Sequence, residues 1–273
     1  MRISLTVLCD NLVTTRRLLA EHGLSILLER GEEQLLFDTG QSNCPLHNAS
    51  LLDISLRSPP IVLSHGHYDH TDGLSSFLRA FDDTIVLAHP DIFKERFSKV
   101  GAEEARSIGM SLSKDALMRR GARFHLREGP QEVLEGIWTT GYINRRFQDD
   151  QALDWFYLDP DGRTTDDIRD DTAIIVEGSR KALILFGCAH AGVRNTVLHV
   201  EAMTDKSLCG IVGGMHLLNS SKAETRALAQ FLKEHRIEYV AASHCTGWNA
   251  AQVLNEHLNL TVTSVGTRLH FQL

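Results

Sequence analysis

The chain has 273 residues, 42% of them hydrophobic and 23% charged, and its 28 Lys+Arg against 35 Asp+Glu leave a net charge of −7. That composition excludes a disordered chain, and the negative balance argues against a nucleic-acid footprint or attraction to an anionic membrane. The odd entry is histidine, with 14 copies, because imidazole is the commonest metal ligand and a proton shuttle near neutral pH.

Five cysteines, Cys9, Cys44, Cys188, Cys209 and Cys245, are an odd number with no CxxC spacing. They argue against a disulfide framework or a zinc ribbon and for a reducing, cytoplasmic location. The N-terminal apolar run is broken by Asp10 and is too short for a secretory signal. No apolar run approaches the roughly 20 residues that span a bilayer.

Short apolar runs recur from the N-terminus onward, at 24–29, 34–38, 61–65, 84–89, 172–178, 182–188, 208–214, 238–244 and 260–266. Rich in Ile, Val and Leu and only a few residues long, they read as buried strands. Several end in a polar residue: Asp38, His65, His89, Cys188 and His244. Delivery of functional groups at the C-terminal ends of strands is the usual arrangement of layered α/β proteins.

Between these runs, a helix is expected to start at Gly73. Residues 91–120 read as a polar, helix-prone excursion with Ile92, Phe93, Phe97 and Val100 as a docking face, serving as a lid or a homo-oligomer contact. Residues 145–171 are rich in Asp and turn residues and read as a long acidic loop, a class that is often functional. Residues 221–236 open with a capping box, Ser221 and Glu224, and place Ala223, Ala227, Leu228, Phe231 and Leu232 on one face. Residues 249–258 repeat that spacing with Ala250, Val253, Leu254 and Leu258. With no central linker, residues 1–273 read as a single α/β domain: two mixed sheets packed together with helices outside, holding about nine or more strands.

The segment LSHGHYDHTDGL (63–74) gathers His65, His67, Asp69 and His70 on a turn between a strand and a helix. Imidazole and carboxylate suit zinc, manganese or iron, with magnesium a further candidate. His65 and His67, in alternate positions, can chelate one ion, and Asp69 and His70 can reach a second. Gly66 is expected to allow the sharp turn. The competing reading is a solvated polar loop, but packed imidazoles without a ligand must stay neutral or repel one another.

HxHxDH after an apolar strand resembles the signature of the metallo-β-lactamase superfamily, and FDTG (37–40) resembles its first motif. LCDN (8–11), FGCAHAGVRNT (186–196), GGMHL (213–217) and SHCTG (243–247) look like one subgroup of it, the 7,8-dihydropterin-6-yl-methyl-4-(β-D-ribofuranosyl)aminobenzene 5′-phosphate synthases and related metal-dependent hydrolases. The resemblance implies an αββα four-layer sandwich with one or two divalent ions. It adds His190 to His65 and His67 on the first ion, and His244 to Asp69 and His70 on the second.

Where many members carry Gly-Asp, this chain has Gly187-Cys188. Cys188 is either a thiolate ligand or an inert buried cysteine. Asp38 either caps its turn or orients a ligand histidine. Asp10 and Asn11 are candidates for the pocket wall or for a turn. Arg145 stands near the subgroup's Ile-Pro-Arg segment, with altered neighbours, as an anion anchor. His216 is a candidate proton shuttle or phosphate contact, and Asp69 a base as well as a ligand. His89 is undecided, and the seven others, His22 among them, show no partner pattern.

The expected activity is hydrolysis of a phosphate ester or carbonyl of an anionic small molecule by metal-activated water. A pterin-type condensation with a pyrophosphate leaving group is the alternative within the fold. A metal-containing sensor without turnover is the alternative outside catalysis.

Overall fold

Period-two alternation decides which sheet face each strand side chain reaches. In this chain both faces of the central strands are apolar, which demands cover on both sides. The structure, a computed structural model, describes residues 2–101, 103–148, 155–237 and 239–273. The first half runs β1 (Arg2–Cys9), β2 (Ser25–Arg30), β3 (Glu33–Phe37), α1 (Cys44–Leu51), β4 (Ile61–Val62), α2 (Tyr68–Thr71), α3 (Leu74–Ala80), β5 (Thr84–Ala88), β6 (Phe97–Ser98), β7 (Arg106–Ser107), α4 (Lys114–Met118) and β8 (Ala122–Leu126). The second runs β9 (Gln131–Leu134), β10 (Ile137–Thr139), β11 (Phe156–Tyr157), β12 (Ala173–Glu177), β13 (Lys181–Phe186), α5 (Val193–Met203), β14 (Ser207–Gly213), α6 (Lys222–Glu234), β15 (Tyr239–Ala242), α7 (Trp248–Asn255), β16 (Asn259–Val262) and β17 (Arg268–Gln272).

Two seven-stranded sheets result, ordered β17-β1-β2-β3-β4-β5-β8 and β16-β15-β14-β13-β12-β10-β9. Each is antiparallel at one side and parallel at the other, with the change at β3 in the first sheet and at β13 in the second. Three cores separate four layers. Ile26, Leu28, Leu35 and Phe37 of one sheet meet Ile174, Val176, Leu183 and Leu185 of the other. The alternate residues Leu27 and Leu36 face Ala49, Leu74 and Phe77 on one outer side. Ile175 and Ile184 face Val197, Leu228 and Leu254 on the other. The αββα sandwich expected from the sequence is thus the fold.

All nine expected strands occur, and α3, α6 and α7 form where helices were expected. The capping box closes as the spacing predicts: the Glu224 N–H donates to Ser221 Oγ and the Ser221 N–H donates to Glu224 Oε2. The buried face of α6 is Thr225, Leu228, Ala229 and Leu232, so the expected Ala223 and Ala227 lie one step outside it. Glu238 and the acidic-loop residues Asp149, Asp150 and Asp154 lie outside the described residues. Among the described residues, no helix is long and apolar enough to cross a membrane.

The expected helical excursion at 91–120 is corrected. It holds a 3-10 turn (Pro90–Phe93), β6, β7 and only the five-residue α4. β6 and β7 join β11, from the acidic loop, in a three-stranded sheet. Long-range contacts override helix propensity here. Arg96 is 1% exposed. Its guanidinium forks onto Asp170, Nη1 to Oδ2 at 3.0 Å and Nη2 to Oδ1 at 2.5 Å, and its Nε–H donates to Asp166 Oδ2 at 2.7 Å. Those two carboxylates belong to the segment that the sequence reads as a long acidic loop. They neutralise a buried cation and fasten the two segments together. Breaking a buried pair by removing one partner costs about 3–5 kcal/mol. Arg96→Ala is therefore predicted to lower unfolding free energy by that amount in a urea titration, and a loss below about 1 kcal/mol would contradict this role for the network.

Candidate metal centre

Parallel neighbours bring their C-terminal ends to one rim. Phe37 pairs with Val62 in the first sheet, and Phe186 with Gly213, then Gly213 with Ala242, in the second. The residues that follow these level ends are Asp38, the 63–70 segment, Cys188 and His190, His216, and His244. Asp38, Ala189, His216 and His244 all have positive φ, between 46° and 60°. Such non-glycine conformations cost of order 1–3 kcal/mol each and gather where a site over-determines them.

Two glycines permit close approach there. A Cβ on Gly187 would lie 2.1 Å from Ser64 Oγ, and one on Gly66 would lie 2.0 Å from the Arg96 guanidinium. Gly66 is therefore needed for space at the sharp turn; its N–H donates to Asp170 Oδ2 at 2.8 Å.

The side chains of His65, His67 and His190 converge, with ligand atoms within 4.8 Å of one another. His65 Nε2 and His67 Nδ1 are 3.0 Å apart. Burial pushes all three imidazoles well below their ordinary pKa, and neighbouring positive groups add to the effect. They are neutral, as ligands must be. Among the described residues, His67 Nε2 and both ring nitrogens of His190 have no hydrogen-bond partner. Such buried polar atoms cost about 1–3 kcal/mol each unless something satisfies them. A cation held by imidazole nitrogen fits this donor set.

Asp69, His70 and His244 form the second half. Asp69 Oδ2 lies 3.3 Å from His244 Nε2 and 3.7 Å from His70 Nε2. Asp69 stays ionised because, against the effect of burial, His70, His244 and His67 hold its carboxyl below the usual range. Burial opposes a charge on His70, but Asp38 and Asp69 outweigh it and lift its pKa to about 9. This half of the site thus calls for positive charge.

Hydrogen bonds fix the rings. Asp38 Oδ1 accepts from the Ser64 N–H, and its Oδ2 accepts from both Ser64 Oγ and His70 Nδ1, each at 2.7 Å. Ser64 Oγ, its proton committed to Asp38, accepts from His65 Nδ1 at 2.9 Å. Asn11 Oδ1 accepts from His244 Nδ1 at 2.8 Å. These partners leave the Nε2 atoms of His65, His70 and His244 facing the centre.

Of the residues expected to line the pocket, Asp10 is buried, and its carboxylate accepts from Thr263 Oγ1 and the backbone N–H groups of Leu12 and His244. Asn11 holds His244. Arg145 is half-buried, and its guanidinium donates to the Ile168 carbonyl. Cys188 is buried with Sγ 3.2 Å from His70 Nε2. His216 joins the cluster, its ring 4.5 Å from that of His190. His89, left undecided by the sequence, caps the 3-10 turn by accepting from the Asp91 N–H.

Three residues escaped the sequence reading. His22 Nε2 lies 3.2 Å from Asp69 Oδ2, although it stands 47 positions before the motif's carboxylate in no recognisable pattern. Phe156 packs against His67, His190 and His216, with centroids at 5.1, 5.3 and 6.0 Å. Asp171 accepts from the Ala191 N–H at 2.7 Å and so braces the turn carrying His190; burial pushes its pKa up to about 7. For Asp171, its place directly before the apolar run 172–178 was the available signal.

Known proteins resemble this chain in sequence and fold. The chain is 29% identical to an uncharacterized protein of Methanocaldococcus jannaschii over 265 residues, 95% of this chain and 97% of that one. It is 28% identical over 250 residues, 87% of this chain and 85% of the relative, to the 7,8-dihydropterin-6-methyl-4-(beta-D-ribofuranosyl)-aminobenzene-5′-phosphate synthase of the same organism. The crystal structure of Tm1679, a metal-dependent hydrolase of the beta-lactamase superfamily, superposes with a TM-score of 0.82 at 25% identity, covering 98% of both chains. The family model of the metallo-beta-lactamase superfamily matches residues 19–194, from the loop bearing His22 through the turn bearing His190. With two mixed sheets, level strand ends and this histidine cluster at their rim, the chain belongs to the metallo-beta-lactamase superfamily.

Proposed function

We propose that this protein is a metal-dependent hydrolase in which one or two divalent ions, zinc, manganese or iron, are held by His65, His67 and His190 and by Asp69, His70 and His244. The observation that carries this reading is the set of unpartnered nitrogens on His67 and His190 beside the prealigned Nε2 of His65. A bound divalent cation supplies Lewis acidity and makes hydroxide available near neutral pH.

The chain's own residues do the rest. Asp69 orients an attacking water through Oδ2. His22 and His244 flank that oxygen and hold its position. Phe156 excludes bulk water from the His67–His190 side, which strengthens every charge interaction within. His216, beside His190, is placed to pass a proton to a leaving oxygen. The substrate is a small anionic phosphate ester or carbonyl compound, with Arg145 as its anchor on the protein. The negative net charge of the chain supplies no attraction of its own for such a molecule.

A second reading has one specific support, the 28% identical relative that is named a synthase. In it, the same residues bind a substrate pyrophosphate and assist its departure while a carbon–carbon bond forms. The two are separated by assaying the protein with zinc, manganese or iron against phosphodiesters, lactones and thioesters, and against a pterin pyrophosphate with an aminobenzene riboside. Hydrolysis of the first group is the expected result. Condensation of the second pair alone would establish the synthase reading instead.

Protein purified without chelator is predicted to carry one to two transition-metal ions per chain by elemental analysis, and His67→Ala to lose turnover with its circular dichroism unchanged. Metal-free protein with no uptake, or a fully active His67→Ala variant, would refute the assignment. Asp38→Asn removes the charged acceptor shared by His70 and Ser64. Its metal affinity is predicted to fall about 10–100-fold in a chelator competition, whereas an unchanged affinity would show that Asp38 does not orient the ligands.

A further inference from the structure

Two cysteines that the candidate centre leaves unused meet where β1 ends and α1 begins. The sulfurs of Cys9 and Cys44 and a carboxylate oxygen of Glu21 all lie within 4.8 Å of one another. Cys9 Sγ donates to Glu21 Oε1 at 3.4 Å, and Cys44 Sγ donates to the Leu19 carbonyl at 3.2 Å. Both residues are buried, and both are free thiols.

The fold builds this pairing. Asn48, fully buried one turn further along α1, reaches with Nδ2 to the Leu8 carbonyl, the Leu19 carbonyl and Cys44 Sγ, at 2.9, 2.8 and 3.2 Å. It thereby pins the end of β1 to α1. Gly40 leaves room for the pair, since a Cβ there would lie 3.0 Å from Cys9 Sγ and 2.5 Å from Glu21 Oε1. The hydrogen bond from Cys9 lowers the pKa of Cys44 below that of an ordinary thiol, against burial and the Glu21 carboxylate. Cys44 is also the first residue of α1, and a helix N-terminus favours a thiolate.

The cover over the pair is a strap, residues 10–24, that holds no strand or helix. Residues 14–17, Leu19 and Ala20 of it are exposed. Segments of this kind open locally at small cost, which admits a small oxidant. The same strap serves the candidate centre. Asn11 Oδ1 accepts from the Gly23 N–H and from His244 Nδ1, and His22, next to Glu21, lies against Asp69.

We propose that Cys9 and Cys44 are a reversible dithiol–disulfide pair, oxidised by a peroxide, whose bond loosens the strap that holds His244 and flanks Asp69. The effect on the site rests on the metal-centre reading above; the disulfide itself does not. The Cys44 thiolate attacks one oxygen of hydrogen peroxide, the O–O bond breaks, and the other oxygen leaves as hydroxide, which the Cys44 proton converts to water. The Cys9 sulfur then attacks the sulfenic acid on Cys44. The S–S bond forms, the S–O bond breaks, and the Cys9 proton, taken up by Glu21, leaves with the hydroxide as a second water. Two thiols are oxidised to one disulfide, and one peroxide is reduced to two waters. The bond removes both S–H donors, so Glu21 and the Leu19 carbonyl each lose a tie from the strap to the sheet and helix beneath it. Transient pairs of this kind are the usual form of disulfides in reducing compartments.

The test treats full-length protein with hydrogen peroxide, alkylates the remaining thiols and maps a digest by mass spectrometry. A peptide joining Cys9 to Cys44, released by dithiothreitol, is expected. Zinc affinity of the oxidised protein, measured by chelator competition, is expected to fall about tenfold and to recover on reduction. Cys9→Ser and Cys44→Ser are expected to keep their zinc affinity through peroxide treatment. Alkylation of both Cys9 and Cys44 after peroxide, or cross-links confined to Cys188, Cys209 and Cys245, would overturn the pair. The map is read on the wild type, so it decides even where a variant fails to fold. A Cys9–Cys44 cross-link with unchanged zinc affinity, or a fall that persists in both variants, would overturn the link to the site. Reduced protein that takes up no zinc would overturn the metal-centre reading instead, and the map would still decide the disulfide.

Discussion

The carboxylate of Asp38 is the constraint on which the candidate centre depends. It is fully buried, and it accepts three hydrogen bonds, from the Ser64 backbone, the Ser64 hydroxyl and the His70 ring. Through Ser64 it also sets the His65 ring. Its own backbone is tied on both sides, the N–H donating to the Val62 carbonyl and the carbonyl accepting from Ser25 Oγ. One residue at the end of β3 thereby fixes the ring orientation of one histidine in each half of the site. A left-handed φ of 60° at this position is tolerable for Asp, whose side chain readily supports that conformation, and the ties around it hold it there.

The sheets supply what Asp38 alone cannot, which is a common rim. In each sheet the change from antiparallel to parallel pairing lines up successive strand ends on one side. Packing the two sheets face to face then brings the rims together across a core of Ile, Leu and Phe. Histidines more than a hundred residues apart, such as His65 and His190, come within coordinating distance as a consequence. The backbone strain at Ala189, His216 and His244 is supported by these packed layers.

Around the rim, charge does what apolar packing does elsewhere. Arg96 is buried in a segment with little regular structure, and it is held by two carboxylates from another such segment. The Asp170 oxygen that meets Arg96 also accepts the Gly66 N–H, so the loop over the site and the HxHxDH turn are linked through one carboxylate. Next to it, Asp171 braces the His190 turn. The acidic stretch is therefore part of the site's frame. Phe156, from the same stretch, closes the apolar side of the histidines.

What the sequence determined by itself is local or periodic. Ile-, Val- and Leu-rich runs specified the strands, the Ser221 and Glu224 spacing specified a helix start, and His65, His67, Asp69 and His70 announced a centre because four candidate ligands fall within six residues. Residues 91–120 misled for the same reason: local propensity favoured helix, while the buried charge on Arg96 required partners some 70 residues away. Only the tertiary structure decided that Asn11 holds His244, that His22 approaches Asp69, that Asp166 and Asp170 are buried rather than solvated, and that the Cys188 sulfur lies between the two ligand sets. Each of these is a contact between segments far apart in the chain. Such contacts are set by strand order, register and the packing of two sheets, and they leave no spacing in the sequence to be read.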